Sequence, residues 1–413
     1  MNHEALTPFC EARLPDTLEF LRQMVEINSF TENPEGVNRL AALIARQFAP
    51  LGFEPTLVEA ANPAYGRHLV LRRELIPGAP TIALISHLDT VFTEEEEKRN
   101  DFRWQAEGNR IHGPGTNDIK GGTALMHLVL SALSEHGGAL FQQTNWILLF
   151  NACEEVISSD FRDVCREHLP QGTRACLIFE ADGGDADAFA LVIARKGRAT
   201  FEVEVEGRGA HAGGQHRRGA NAVVQLAEVV QRLHQLTDYD AALTVNIASI
   251  SGGTVLNRVP HSARASLEMR AFTPLVYDRA MQEILAWNRE GTIRSAEGDQ
   301  PCHIHVKVVD ESSPWPRNIQ TDALYSIWQQ TAASLGMKIE KQERGGLSDG
   351  NVLWDAFPTL DGLGPRGDDC HCSERSADGT KEQEWVDVTS FVPKAVLNCC
   401  AIERLLSSPA ALQ

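Results

Sequence analysis

Four clusters of acids and histidines stand where apolar runs stop. TIALISHLDTVF carries His87 and Asp89, GPGTNDIKGG carries Asp118, WILLFNACEEV carries Glu154 and Glu155, and CLIFEADGG carries Glu180. Three of these runs have the length and composition of buried strands. A carboxylate is rarely taken out of water unless it is paired or bound to a metal, so folding alone does not account for apolar strands that each end in acids or a histidine. Together the clusters read as one site for two divalent metal ions of the kind used in hydrolysis.

The chain has 413 residues, more than one ordinary core accommodates, so two domains are expected. No apolar stretch reaches the ~18 to 20 residues of a membrane span, and no membrane partner is expected. The first residues, MNHEALTPFCEARLP, lack a basic segment followed by an apolar one, and nine scattered cysteines suit a reducing compartment; a cytoplasmic location is expected. Thirty-eight Lys and Arg against 56 Asp and Glu leave a net charge of −18. That surface repels phosphate backbones, so nucleic acid is not an expected partner. Cys153, Cys165 and Cys176 read as small core hydrophobes. Cys370 and Cys372 flank His371 without the C-x2-C spacing of a structural zinc site.

Helical spacing appears over 12–30 and 36–51. Strands are expected at 69–72, 81–86, 145–151 and 175–179, alternating with helices at 122–134 and 158–167. The run Glu94–Glu97 reads as a solvated loop or a helix start. Such alternation predicts an α/β fold with a mixed, largely parallel sheet and helices on both faces. Sites in such sheets form at the carboxyl ends of strands, where His87, Glu154, Glu155 and Glu180 all fall. From about residue 197 the texture changes: period-two strands at 199–206, 243–250, 263–271 and 303–309, with helices at 221–236 and 276–288. Their order, β-α-β-β-α-β, is that of a ferredoxin-like unit. The expected organisation is a metal-binding domain made of 1–196 and 313–413, interrupted by an inserted domain, 197–312. Helices are expected again at 321–335, from 349 and over 388–406.

Each cluster alone is weak. The alternation places His87 and Asp89 on one face of an extended segment; Asp89 could orient the histidine by side chain or backbone, or the pair could cap a turn. Asp118 lies in a glycine-rich loop that lacks P-loop spacing, and its two oxygens could serve one ion each. Of Glu154 and Glu155, one could bind metal while the other takes a proton from an activated water; an isolated Glu-Glu is more often an exposed helix start.

Taken in order, HLDTVF, GPGTNDIKGG, CEE and FEADGG resemble the M20 family of metallopeptidases, and more narrowly its carboxypeptidase G2-type or glutamate carboxypeptidase branch. The resemblance spans nearly the whole chain and implies that the inserted domain serves dimerisation. It implies His87, Asp118 and Glu180 as ligands of one ion, and Asp118, Glu155 and His371, from GLGPRGDDCHCSER, as ligands of the other. By the same resemblance Asp89 supports His87 and Glu154 is the general base. GRGAHAGGQHRRGAN places His211 as the residue that reaches a partner's site and steadies the oxyanion. GGTVLNRVPHSARASLEMR places Asn257 and Arg270 on the substrate, Arg270 through its carboxylate. GGLSDGN contributes Gly346 to the pocket. Two departures stand out: Ile119 follows Asp118 where the family often has a second acid, and a polar loop, 372–383, separates His371 from Glu384-Trp385-Val386-Asp387.

The expected cofactors are two divalent ions, Zn²⁺ by ligand type, with Mn²⁺ or Co²⁺ as alternatives. The expected activity is hydrolysis of an amide bond to a carboxylate-bearing C-terminal amino acid. An alternative is an N-acyl amino acid deacylase of the acetylornithine or succinyl-diaminopimelate type. A third, a metal-binding scaffold without catalysis, sits poorly with the presence of both Glu154 and His211. The expected partners are a small peptide or N-acyl amino acid and a second copy of the chain.

Overall fold

Strand Thr81–His87 is buried along its whole length, as is its neighbour Asn145–Asn151. In the computed structural model, which describes residues 1–73, 75–156, 160–185 and 187–407, these two lie at the middle of a six-stranded sheet. Its order is Glu54–Val58, His68–Arg72, Asn145–Asn151, Thr81–His87, Ala175–Ile178, Thr359–Leu360. The last four strands run parallel; the first two pair antiparallel. The mixed, largely parallel sheet predicted from the alternation is therefore present.

Alternation along each strand feeds two cores. Ile82, Leu84, Trp146, Leu148 and Phe150 join Leu21, Val129 and Leu397 on one face. Ala83, Ile85, Ile147 and Leu149 join Phe161, Val164 and Phe357 on the other. With both faces covered, the strands read as continuous apolar runs, and the charged residues are left for the strand ends.

Several boundaries differ from the sequence reading. The first helix is His3–Val25, not 12–30, and runs through Pro8 and Pro15. The second, Pro34–Phe48, begins at proline behind an Asn33 cap that accepts from the Gly36 amide, a start signal of known form. The helix expected at 158–167 is Asp160–His168; Ser158 lies outside the described residues. Glu94–Glu97 opens a short helix, Glu94–Arg99, capped by Thr93. Strand Phe189–Arg195 was not anticipated, because an all-apolar run lacks a period. Nor was a small sheet of Gly367–Asp368, Trp385–Asp387, Arg110–His112 and Gln105–Glu107, whose strands are too short to carry a pattern.

The described chain separates into two compact units: Met1–Ile193 with Arg317–Glu343 and Ser348–Gln413, and Ala194–Pro316 with Arg344–Leu347. The second has an antiparallel sheet in the order Thr244–Gly252, Ser262–Ala271, Gly197–Glu206, Pro301–Ser312, Arg289–Arg294. Helices Ala222–His234 and Pro274–Leu285 pack on it through Leu226, Val229, Leu233, Tyr277 and Ile284. The β-α-β-β-α-β order holds with one addition, strand Arg289–Arg294 at the sheet edge, hidden in a polar segment. Among the described residues no helix is long and apolar enough to cross a membrane.

Leu84 is fully buried in the central strand. Leu84→Ala is expected to cost about 2–5 kcal/mol, read as a lowered midpoint in urea unfolding.

Candidate active site

Asp118 lies between two histidines. Its Oδ1 is 3.0 Å from His87 Nε2, and its Oδ2 is 3.2 Å from His371 Nε2. Glu180 Oε1 is 3.7 Å from His87 Nε2, and Glu155 Oε2 is 3.2 Å from His371 Nε2. Two donor sets result, His87–Asp118–Glu180 and Asp118–Glu155–His371, each with its donor atoms within 4.8 Å of one another. They share Asp118, one oxygen to each side.

Backbone contacts bring these residues together. His87 ends the central strand and Glu180 follows Ala175–Ile178. Gly122, in the helix after the Asp118 loop, approaches so closely that a Cβ would lie 1.9 Å from the Phe179 carbonyl oxygen. Gly364 lies against the same segment, its N–H donating to the Glu180 carbonyl at 2.8 Å, where a Cβ would meet Phe179 O at 2.5 Å. His371 has a left-handed backbone, φ +65°, uncommon outside glycine. The peptide after Asp118 is cis.

The polarity at His87 suits a ligand. Its Nδ1 lies 3.0 Å from the Asp89 backbone carbonyl, which only accepts, so Nδ1 carries a hydrogen and Nε2 faces the acids. Without a cation, protons fill that role. Burial opposes charge on His87, yet hydrogen bonds to Asp118 and Asp89 raise its pKa well above the ordinary value. Hydrogen bonds to Asp118 and Glu155 push His371 up to about 11. Burial would raise Asp118, but His371 and His87 hold it far below the carboxylate range. Glu155 is pushed up to about 8 by burial and by the Asp118 charge. Three acids around two imidazoles whose pKa values are raised by those acids form a donor set that fits two divalent cations.

Asp89 does something the sequence reading did not specify. Its backbone carbonyl orients His87, while its carboxylate captures the next turn: Oδ1 accepts from the Glu154 amide at 3.0 Å and Oδ2 from the Glu155 amide at 3.2 Å. Thr31 Oγ1 donates to Oδ2 at 2.7 Å. The two glutamates are thus fixed through their backbone.

Glu384, Asn151 and Asp349 complete the surroundings and were not singled out from sequence. Buried Glu384 accepts from the amides of Asn117 at 2.8 Å and Asp118 at 3.0 Å. Burial and Asp118 raise its pKa to about 8. Asn151 Nδ2 donates to Asp349 Oδ1 at 2.7 Å, and burial with the nearby Glu154 charge raises Asp349 well above its usual range. Glu384 opens the Glu-Trp-Val-Asp motif, a signal that was available; Asp349 in GGLSDGN had only its neighbours.

The remaining candidates belong to the second unit. His211 is exposed, and its Nδ1 accepts from the amides of Gly213 at 3.2 Å and Gly214 at 3.0 Å, which leaves the hydrogen on Nε2. Asn257 is beside it, its carbonyl accepting from the Ala212 amide at 2.9 Å. Arg270 is held as a fork by Glu268, Nε to Oε1 at 3.0 Å and Nη2 to Oε2 at 3.3 Å, and donates to the Gly345 carbonyl at 2.9 Å. The carbonyl of Gly346 accepts from Arg195 at 3.2 Å.

Residues 193–294 match the family model of a peptidase dimerisation domain. Carboxypeptidase G2 of Pseudomonas sp. (strain RS-16) is 25% identical over 383 residues, 91% of this chain and 86% of that protein. A probable carboxypeptidase of Aspergillus terreus is 31% identical over 330 residues, 74% of this chain and 70% of its own. This chain belongs to the M20 family of metallopeptidases. An acetylornithine deacetylase of Klebsiella pneumoniae is 24% identical over 273 residues, 62% of this chain and 68% of that one. An M20 family metallo-carboxypeptidase from Sulfolobus solfataricus shares the fold, with a TM-score of 0.67 at 14% identity over 94% of this chain and 99% of that chain. The M20 protein described here is accordingly a metal-binding hydrolase of amide bonds.

Because Glu384 holds the Asp118 loop through two amides, Glu384→Ala should weaken metal binding by ~10–100-fold, the usual cost of losing such support. Glu384→Gln, which keeps an acceptor oxygen, should recover most of it. Zinc titration against a chromophoric chelator reads both.

Proposed function

We propose that this M20 enzyme uses two zinc ions to cleave the amide bond of a C-terminal, carboxylate-bearing amino acid, in the manner of a glutamate carboxypeptidase. The observation that carries this reading is Asp118, with one carboxylate oxygen directed to each of two N/O donor sets. His87, Asp118 and Glu180 would hold one ion; Asp118, Glu155 and His371 the other. Such ligands suit Zn²⁺, with Mn²⁺ or Co²⁺ as alternatives. When bound, the pair supplies Lewis acidity to the scissile carbonyl and acidity to the attacking water.

The chain supplies the rest. Glu154 is the general base: its carboxylate takes a proton from the water and returns it to the leaving amine. Asp89 aims it through the amide bond described above. His211, with hydrogen on Nε2, is a neutral donor suited to the oxyanion, delivered to the site of a partner copy. Arg270 takes the substrate carboxylate, with Asn257 and Gly346 shaping the pocket. Lys196 supports an acidic side chain at the released residue: partial burial and the Arg270 charge lower its pKa, so two cations face one region. Pairing of two copies through the second unit is supported by the edge strand Thr244–Gly252 and by exposed Val224, Ile250, Val255 and Leu256 nearby.

The similarity to an acetylornithine deacetylase favours a second reading, removal of a short acyl group from an amino acid. Metal-loaded enzyme assayed against N-acyl and peptidyl amino acids ending in Glu, Asp, Ala, Leu or Lys separates the two. Turnover confined to acidic ends supports the carboxypeptidase; turnover of short acyl groups on other amino acids replaces it with the deacylase.

Glu154→Gln should keep both metals and lose about 10²–10⁴-fold in kcat; near wild-type turnover would remove Glu154 as the base. Metal binding should release protons at neutral pH, because His371, held protonated up to about 11 by Asp118 and Glu155, must give up its Nε2 proton to become a ligand. Calorimetry in buffers of different ionisation enthalpy measures that release, and His371→Ala should reduce it.

A further inference from the structure

The turn that carries Glu154 and Glu155 offers four consecutive backbone N–H groups, and each goes to a side chain. Glu154 and Glu155 donate to Asp89. Cys153 donates to Asn151 Oδ1 at 3.1 Å. Ala152 donates to His68 Nδ1 at 3.1 Å. His68 lies at the start of the strand that pairs with Asn145–Asn151, and that ladder ends at Leu69–Phe150. Where the backbone partner stops, the imidazole takes over.

The ring is fully buried and held from both sides. Its Nε2 is 3.2 Å from Asp160 Oδ2, an oxygen that also accepts from the Ala61 amide at 2.6 Å. An amide N–H only donates, so Nδ1 must be unprotonated and the hydrogen sits on Nε2, toward Asp160. His68, Cys153 and Asp160 could hold a metal by distance alone. The polarity is wrong for it: an imidazole that binds metal donates its other N–H to an acceptor, as His87 does, whereas His68 meets a donor.

We propose that His68, with its tautomer set by Asp160, is a positioning residue that fixes the entry to the catalytic turn and thereby the placement of Glu154 and Glu155. The inference rests on the roles proposed for those two glutamates. Asn and Gln separate the two ring nitrogens: Asn places an acceptor near Nδ1, and Gln places its amide near Nε2.

The test compares His68→Asn, His68→Gln, His68→Leu and Asp160→Ala in the full chain. Readouts are zinc affinity, exchange of the Ala152 amide, and kcat and KM on an N-acyl glutamate, with Glu154→Gln as control. The expected result is that His68→Asn keeps Ala152 protected and stays within ~3-fold of wild type. His68→Gln and His68→Leu should lose protection and fall ~10–100-fold in kcat and zinc affinity, the range for residues that support ligands, with KM little changed. Asp160→Ala should fall between, and the ¹⁵N shifts of His68 should show the Nε2–H form in wild type and a larger share of the other tautomer in Asp160→Ala. Equal behaviour of the Asn and Gln variants, or a third equivalent of zinc lost in Cys153→Ser, overturns the proposal. If wild type leaves the N-acyl glutamate intact, the substrate reading fails, and amide exchange with zinc affinity still decide the role of His68.

Discussion

Negative charge that cannot reach water organises the first unit. Asp89, Glu180, Asp349 and Glu384 are buried and Asp118 is half-buried, beside Glu154 and Glu155. Each would be costly alone. What makes the arrangement tolerable is division of labour. Asp89 gives both carboxylate oxygens, and Glu384 its Oε1, to backbone amides. Asp118, Glu155 and Glu180 face imidazoles, in the two donor sets that fit divalent cations. Asp349, beside Glu154 and bonded by Asn151, is driven toward the neutral acid. One cluster thus contains supports, candidate ligands and an acid shifted toward its neutral form, told apart by what each oxygen touches.

The histidines sort by the same test. His87 presents Nδ1 to a carbonyl, and its Nε2 is turned to the acids. His211 and His68 present Nδ1 to amide donors, which leaves their Nε2 as hydrogen donors, one exposed and one buried against Asp160. Residue type and burial do not distinguish a ligand from a donor here; the group at the opposite ring nitrogen does. The triad His68–Cys153–Asp160 is a metal site by distance and a hydrogen-bond relay by polarity.

Much of this was legible in the sequence. His87, Asp118, Glu155, Glu180 and His371 were named from motifs and meet in the structure, because strand ends and glycine-rich loops leave strong local signals. The inserted β-α-β-β-α-β order was legible for the same reason: half-exposed strands alternate. Phe189–Arg195 was not, since its six consecutive apolar residues, Phe189 to Ala194, have no period, and neither were strands of two or three residues. The supports were harder still. Glu384, Asn151, Asp349 and His68 act through amides and side chains 84 to 267 residues away in sequence, for example Glu384 on Asp118 at a separation of 266, and nothing local marks an acceptor for a distant N–H.

The polar loop after His371, the clearest departure from the family pattern, is tied down rather than free. Ser373 is buried and accepts from Asn100 Nδ2 at 2.7 Å. Gln383 Nε2 bridges the carbonyls of Asn100 at 2.9 Å and Ser373 at 3.0 Å. Arg375 reaches Glu107 at 2.7 Å. The two ends close on each other where the Glu384 amide donates to the Cys372 carbonyl at 2.8 Å. That bond completes a ring of contacts: Asp118 to His371, His371 along the chain to Cys372, Cys372 to Glu384, and Glu384 back to the Asp118 amide. A ring of this kind couples the left-handed backbone at His371 to the loop that carries Asp118. The eleven residues 373–383 then lengthen the chain between two fixed points without loosening either, since loop length costs little entropy once the ends are held.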